Sequence, residues 1–231
     1  MEDSFAERII GFNRCLSFEG DLPHGVQLMN PYRDSDEAAA LSESFYRKFY
    51  TDNNMRRLIL GINPGRLGAG ATGIPFTDTK RLEADCGISP ASFHTHEPSS
   101  VFVYEVIREY GGPLKFYGDF FINSVSPLGL LIKNDKGNWV NCNYYDYTDL
   151  FKAMRSFIIS NLREIASIGV DTSVCYVLGK KNYSCLLEIN KEINLFKMLV
   201  ALDHPRYIVQ YRSKHRDRYV ATYLDALSPV R

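Results

Sequence analysis

Four short apolar runs, each ended abruptly by polar residues, constrain the fold of this chain more than any other feature. The runs cover residues 58–62, 120–122, 174–178 and Met198–Leu202. Apolar residues at helical spacing lie before and between these runs, over residues 3–17, 36–49, 101–110 and 148–165. Because strands that alternate with helices form parallel sheets, we predict an α/β protein, a three-layer α/β/α fold with a mainly parallel central sheet.

Each apolar run leads into a polar side chain that is a candidate for a binding site. These side chains are Asn63, Asn123, Lys180 and His204. In open parallel sheets, ligands bind beyond the carboxyl ends of the strands, so we expect the four loops to converge on one cleft. A hairpin predicted around the turn at 134–138 lies at a sheet edge or forms a lid, and it helps to shape that cleft.

Length and charge limit the classes of protein that remain. A chain of 231 residues with 45% hydrophobic composition fits one compact domain, which we expect to span residues 1–231. Twenty-seven Lys and Arg balance twenty-seven Asp and Glu, so binding of a polyanion must be local. No apolar run is long enough for a membrane span or an export signal. We therefore expect no contact with a membrane.

The cysteines indicate a reducing compartment. They are five in number, far apart and without a CxxC pair, at Cys15, Cys86, Cys142, Cys175 and Cys185. An odd, scattered set argues against a disulfide framework, a zinc site and an iron-sulfur cluster. His94 and His96 lack further ligands nearby and are interpreted as part of a solvated loop. We predict a cytoplasmic protein without a metal.

A glycine-rich segment at 68–73 satisfies the GxGxxG pattern of dinucleotide-binding sites. Several loop residues separate it from the preceding strand, and Pro75 leaves no room for the helix that should receive the pyrophosphate. No phosphate-binding P-loop pattern is present either. We therefore predict no cofactor and assign these glycines to a tight pocket. A dinucleotide-dependent oxidoreductase is kept only as a third alternative.

Three segments in the same order resemble the single-strand-selective monofunctional uracil-DNA glycosylases. Residues 61–76 read GINPGRLGAGATGIPF and resemble the family motif G-M-N-P-G-P-F-G-M-x-x-T-G-V-P-F. FINSVSPLGL at 121–130 is similar to the N-Y-C-P-L stretch, and residues 203–206 resemble the start of the H-P-S-P-R motif. The resemblance implies a uracil-DNA glycosylase fold and base excision by hydrolysis without a lyase step.

The resemblance also implies roles for individual residues. Asn63 would hold the attacking water, Phe76 would stack on the flipped base, Asn123 would bind the Watson-Crick edge of the base, and His204 would stabilise the departing anion. Cleavage of an N-glycosidic bond develops positive charge on the sugar and negative charge on the base, so these groups meet charge where it forms. The remaining residues implied for the pocket are Gly61, Ile62, Gly65 and Gly73.

Gly65 resembles, in position, a Tyr of related enzymes that act only on uracil. In those enzymes the Tyr excludes a 5-methyl group. The resemblance therefore implies that 5-substituted uracils, such as 5-hydroxymethyluracil, enter the pocket. The predicted function is base excision repair by a monofunctional uracil-DNA glycosylase. The alternative left open is a non-catalytic nucleic-acid or nucleotide binding module that has the same pocket.

A basic, tyrosine-containing segment from Arg206 to Arg218 supplies the local positive charge that DNA binding requires. Its cations neutralise phosphates in this interpretation, and one of its tyrosines wedges into the space left by the flipped base. A solvated amphipathic helix remains the alternative. Here the chain departs from the family motif, so preference for single-stranded or duplex DNA stays open. We predict a monomer that contacts DNA through Lys180, Arg206, Tyr207, Tyr211, Arg212 and Lys214.

Overall fold

The computed structural model describes residues 4–228. Residue 3, with which the first predicted helix begins, lies outside these residues. The helices are α1 (Phe5–Cys15), α2 (Pro31–Asp34), α3 (Asp36–Phe49), α4 (Ala69–Thr72), α5 (Thr79–Cys86), α6 (Pro98–Glu109), α7 (Pro113–Asp119), α8 (Thr148–Ser167), α9 (Lys180–Ile193), α10 (Pro205–Tyr211) and α11 (Arg216–Leu227). The strands are β1 (Val26–Met29), β2 (Arg56–Gly61), β3 (Phe120–Ser124), β4 (Gly129–Lys133), β5 (Trp139–Cys142), β6 (Val170–Leu178) and β7 (Met198–Leu202).

The four apolar runs form one parallel sheet in the order β3-β2-β6-β7. β3 is buried along its whole length and β2 along most of it, because the sheet is covered by helices. Helix α7 packs against β2 and β3, and helices α8 and α9 pack against the β6 side of the sheet. The predicted α/β fold with a parallel central sheet is confirmed. None of the helices within residues 4–228 is long and apolar enough to cross a membrane.

The predicted hairpin belongs to a second, antiparallel sheet in the order β1-β4-β5. The β4–β5 hairpin itself is confirmed, with Leu130 opposite Cys142. Strand β1 was not predicted, because four residues with weak alternation carry little periodic signal. It pairs with β4 through Leu28 and Leu130, and this pairing attaches the hairpin to the body of the protein.

A buried asparagine joins the carboxyl ends of two central strands. Asn182 on α9 has no exposed surface, and its Nδ2 donates to the carbonyls of Gly61 (3.0 Å) and Leu178 (3.3 Å). Its Oδ1 accepts from the Tyr144 hydroxyl at 2.8 Å. Because unpaired polar groups in a core are costly, this arrangement holds β2, β6 and the chain after β5 at fixed positions around the sheet end.

Candidate active site

A cavity of about 560 Å³ lies at the carboxyl ends of the central strands. Six residues predicted for the site line it: Ile62, Asn63, Gly65, Phe76, His204 and Arg206. The other predicted residues lie outside this lining: Gly61, Gly73, Asn123, Lys180, Tyr207, Tyr211, Arg212 and Lys214. The size of the cavity is that of a small-molecule site.

Phe76 forms one wall of the cavity in an unusual backbone conformation. Its φ angle is 52°, a left-handed value that is strained for a bulky residue and is often associated with functional sites. The ring packs directly on Gly61, where an added Cβ would lie 2.9 Å from two ring carbons. The ring also lies 5.9 Å from the His204 ring, centroid to centroid. Gly61 does not line the cavity, but because it has no side chain the Phe76 ring can pack closely against the end of β2.

Gly73 serves the local packing of the same loop. It ends the single turn of α4, and its carbonyl accepts hydrogen bonds from the hydroxyls of Tyr32 (3.0 Å) and Ser42 (3.2 Å). These bonds hold the loop that carries Phe76 against helices α2 and α3.

Asn63 follows β2, and its amide bridges to the chain at the end of the hairpin. Its Nδ2 donates to the Cys142 carbonyl at 3.1 Å, and its Oδ1 accepts from the Tyr144 backbone N–H at 3.2 Å. An amide oxygen has two lone pairs, so Oδ1 keeps one for a further donor. An amide has no useful basicity, so Asn63 can orient a water but cannot take its proton.

Asn123 is buried near the end of β3. Its Oδ1 accepts from the backbone N–H of Ser124 at 2.7 Å, and its Nδ2 has no hydrogen-bond partner within residues 4–228. Ser124, the next residue, lines the cavity. The bond to Ser124 orients the Asn123 amide, because only the oxygen can accept from a backbone N–H.

His204 follows β7, next to the start of α10. Its Nδ1 accepts from the Arg206 backbone N–H at 3.1 Å. Burial, with a smaller contribution from Arg206, lowers the pKa of His204 to about 4. The imidazole is therefore neutral at pH 7, with Nδ1 as acceptor and the proton on Nε2. His204 supplies one hydrogen-bond donor to the cavity without carrying a charge.

Several lining residues were not predicted from the sequence. Glu97 and Ser99 come from the start of α6, Asn141 and Asn143 from the hairpin, and Arg66 from the loop after β2. The only available signal was the position of Glu97 immediately before Pro98, at the start of a helical pattern. Sequence alone does not indicate that this helix start faces the first loop.

The glycine-rich loop does not have the form that a dinucleotide site requires. After Gly68 it forms only the single turn of α4, and the Glu97 carboxyl packs directly against Gly68. A carboxylate at that position would repel the negatively charged pyrophosphate of a dinucleotide. His94 is exposed, and His96 contacts Asp78 (3.3 Å) and Arg81 (3.3 Å). Residues 4–228 contain no group of three or more His, Cys, Asp or Glu side chains arranged for a metal.

The predicted DNA-contact residues form an exposed surface that begins at the cavity rim with Arg206. Tyr207 and Tyr211 on α10 are 36% and 62% exposed, with ring centroids 5.7 Å apart. The Arg212 guanidinium lies 5.5 Å from the centre of the Tyr207 ring. Lys180 is also exposed, at the first position of α9.

The fold and this cavity define a base-excising glycosylase, and comparison with known families agrees. The family model described as the uracil DNA glycosylase superfamily matches residues 48–228, and the chain belongs to that superfamily. The protein is therefore a uracil-DNA glycosylase, a DNA-repair enzyme that hydrolyses an N-glycosidic bond in DNA.

Among solved structures, the crystal structure of wild-type Pedobacter heparinus SMUG2 is similar to this chain with a TM-score of 0.95. The two chains share 44% sequence identity, and the match covers 97% of each. The family resemblance that the three motifs indicated is thus confirmed. No curated protein matches the sequence.

Proposed function

We propose that this enzyme excises uracil and 5-substituted uracils such as 5-hydroxymethyluracil, with Asn63 holding the attacking water and His204 stabilising the departing base. The proposal rests above all on the hydrogen bond from the Arg206 backbone to His204 Nδ1. That bond leaves Nε2–H as the donor of a neutral imidazole beside the Phe76 ring. We further propose that residues 1–231 act as one domain and as a monomer.

The chemistry requires little charge from the protein. As the bond between the sugar and the base breaks, negative charge develops on the uracil ring and positive character on the sugar. A neutral donor aimed at the uracil O2 stabilises that charge in the transition state, and removal of such a donor typically costs about 10²–10³ in rate. The anion is a tolerable leaving group, so the base need not be protonated before it departs.

Asn123 is proposed to select uracil over cytosine. Its oxygen keeps one lone pair for the uracil N3–H, and its unpaired Nδ2 is a donor for O4. Cytosine presents an acceptor at N3 and a donor at the 4-position, so the fixed amide would be mispaired with it. A site discriminates strongly against a ligand that would leave its buried polar groups unpaired.

Room for a 5-substituent is proposed at Gly65, which lines the cavity without a side chain. The Asn141 amide lies there, with Nδ2 3.2 Å from the position of a Gly65 Cβ. Its Oδ1 accepts from the Arg66 backbone N–H at 3.1 Å, so the amide nitrogen faces Gly65. A 5-hydroxymethyl group has an oxygen that can accept a hydrogen bond from this nitrogen.

DNA is proposed to approach along the exposed 206–214 surface and Lys180. Extrusion of a base costs a few kcal/mol in a duplex and less in a single strand. Stacking on an aromatic side chain returns about 1–3 kcal/mol, which Phe76 would supply inside the cavity. We therefore propose single-stranded DNA as the preferred substrate, with duplex DNA as a slower one.

The test is base release from end-labelled single-stranded and duplex oligonucleotides that carry uracil, 5-hydroxymethyluracil or thymine, with alkali cleavage at abasic sites. We expect release of uracil and 5-hydroxymethyluracil, weaker release of thymine, and loss of each in His204→Ala. Cleavage of uracil alone would contradict the proposed 5-substituent pocket. Binding without release on every substrate would instead favour a module that binds nucleic acid.

A further inference from the structure

Glu97 is the one cavity-lining carboxyl among residues 4–228, and the roles proposed for Asn63, Asn123 and His204 do not involve it. It lies before Pro98 at the start of α6, and its side chain packs against Gly68 in the loop that also carries Asn63. No ion pair is formed by its carboxylate within the described residues. A carboxylate without an ion pair keeps acceptor sites for a bound water or substrate.

A buried aspartate fixes the position of Glu97. Asp78 has no exposed surface, and its Oδ2 accepts from the Glu97 backbone N–H at 2.7 Å and from the Ser100 hydroxyl at 2.9 Å. Arg81 donates to the same oxygen at 3.4 Å. The start of α6 is thereby held against the chain just after Phe76, so the Glu97 side chain faces the cavity from a rigid support.

The charges around Glu97 come from several elements. Asp78 contributes negative charge from the start of α5, and it is contacted by Arg81 and His96, neither of which lines the cavity. Arg206 on α10 and Arg66 in the loop after β2 line the same cavity, with neutral His204 between the sheet and α10. Burial raises the pKa of Glu97 to about 7, Asp78 adds to this rise, and Ser99 and Arg206 oppose it.

We propose that Glu97 is the general base that takes a proton from the attacking water. The proposal rests on the uracil-DNA glycosylase activity argued above. Asn63 orients the water but cannot accept its proton, because its amide is bonded to the hairpin backbone and is not basic. Glu97 lines the same cavity and supplies the carboxylate that this step needs.

The water oxygen forms a bond to C1′ of the deoxyribose while one water proton passes to the Glu97 carboxylate. The bond between C1′ and N1 of uracil breaks, and its electron pair leaves on the base as an anion that accepts the His204 hydrogen bond. The product sugar carries the new hydroxyl group, and Glu97 later gives its proton to solvent.

The test is the single-turnover rate of uracil release from single-stranded DNA at saturating enzyme, measured between pH 5 and pH 9 for the wild type, Glu97→Gln and Glu97→Asp. We expect the wild-type rate to rise tenfold per pH unit below pH 7 and to level off above it. Glu97→Gln should be slower by on the order of 100-fold at pH 8 and independent of pH. Glu97→Asp should recover part of the rate together with the pH dependence.

Glu105→Gln is the matched control, since Glu105 lies on the same helix and pairs with Arg216 at 2.9 Å outside the cavity. It should keep the wild-type rate and profile. A Glu97→Gln enzyme with an unchanged rate, or one that is slower but keeps the break near pH 7, would overturn the general-base role alone. Absence of uracil release by the wild type would overturn the glycosylase function itself.

Discussion

The backbone N–H of Arg206 donates a hydrogen bond to Nδ1 of His204 at 3.1 Å, and this bond decides which nitrogen of the imidazole can act as a donor. Because Nδ1 is an acceptor, the ring proton of the neutral form is on Nε2. The motif of His204, Pro205 and Arg206 provides this geometry, since Pro205 begins α10 and has no N–H of its own.

His204 should remain neutral between pH 5 and pH 8. Burial lowers its pKa to about 4, so it gains a proton only below that pH. We expect ¹⁵N NMR to show the Nε2–H tautomer from pH 8 to pH 5, with exposed His24 as an internal comparison. A titration of His204 between pH 6 and pH 7 would contradict the neutral-donor role.

Gly61→Ala should reduce activity by displacing Phe76. A Cβ at position 61 would lie 2.9 Å from two carbons of the Phe76 ring, so the ring must move toward the base. Misplacement of a positioning group by about 1 Å can cost on the order of 100-fold in rate. The measurement is kcat/KM on single-stranded uracil DNA. Gly118→Ala on α7, where nothing lies within 4 Å of the new Cβ, should leave activity unchanged.

Asn182 and Tyr144 should contribute to stability as a unit. Tyr144→Phe leaves Asn182 Oδ1 without its donor, which should lower the free energy of unfolding by about 1–3 kcal/mol. Asn182→Ala should cost about 3 kcal/mol, because carbonyls of β2 and β6 also lose their donor. In urea denaturation, the double variant should cost less than the sum of the two.

Tyr183→Phe is the control for this pair, since the Tyr183 hydroxyl makes no hydrogen bond within residues 4–228. It should leave the free energy of unfolding unchanged. Strictly additive costs for Tyr144→Phe and Asn182→Ala would show that the two side chains act independently.

The residues that reach the site from the strand ends could be predicted from the sequence, but the residues that form its other walls could not. Asn63 and His204 are each the second residue after a strand, β2 and β7, and parallel strands bring such positions to one edge of the sheet. Glu97 reaches the cavity because Asp78, nineteen residues earlier, holds its backbone. Asn141 reaches it because the hairpin pairs with β1. Both placements depend on tertiary contacts, and neither leaves a periodic pattern in the sequence.

Glu97→Gln should stabilise the protein at high pH and have little effect at low pH. Burial raises the Glu97 pKa from its usual 4.5 to about 7. Between these values the unfolded chain loses the proton that the folded protein keeps, so wild-type stability falls as pH rises from 4.5 to 7. Glu97→Gln has no carboxyl at this position, so its stability does not fall in this way. The difference in Tm between the variant and the wild type should therefore increase as pH rises from 4.5 to 7.

The measurement is Tm by calorimetry at pH 4.5, 6 and 8, where each kcal/mol corresponds to about 2–4 °C for a chain of this size. Glu7→Gln is the contrasting variant, because the hydrogen bond from Arg47 lowers the pKa of Glu7, and its Tm relative to wild type should not increase with pH. A constant Tm difference between Glu97→Gln and wild type at all three pH values would exclude the raised pKa.

Asn141→Ala should change the choice between uracil and 5-hydroxymethyluracil. The Asn141 Nδ2 faces Gly65, with Oδ1 held by the Arg66 N–H, and a 5-hydroxymethyl oxygen reaching this nitrogen gains one hydrogen bond worth about 0.5–1.5 kcal/mol. Loss of that bond should lower kcat/KM for 5-hydroxymethyluracil by roughly 2- to 10-fold and leave uracil almost unchanged. Asn143→Ala, on the same cavity wall but bonded to Asp146, is the comparison and should keep the wild-type ratio. Equal losses on both bases in Asn141→Ala would mean that Asn141 supports the Arg66 loop and does not contact the 5-substituent.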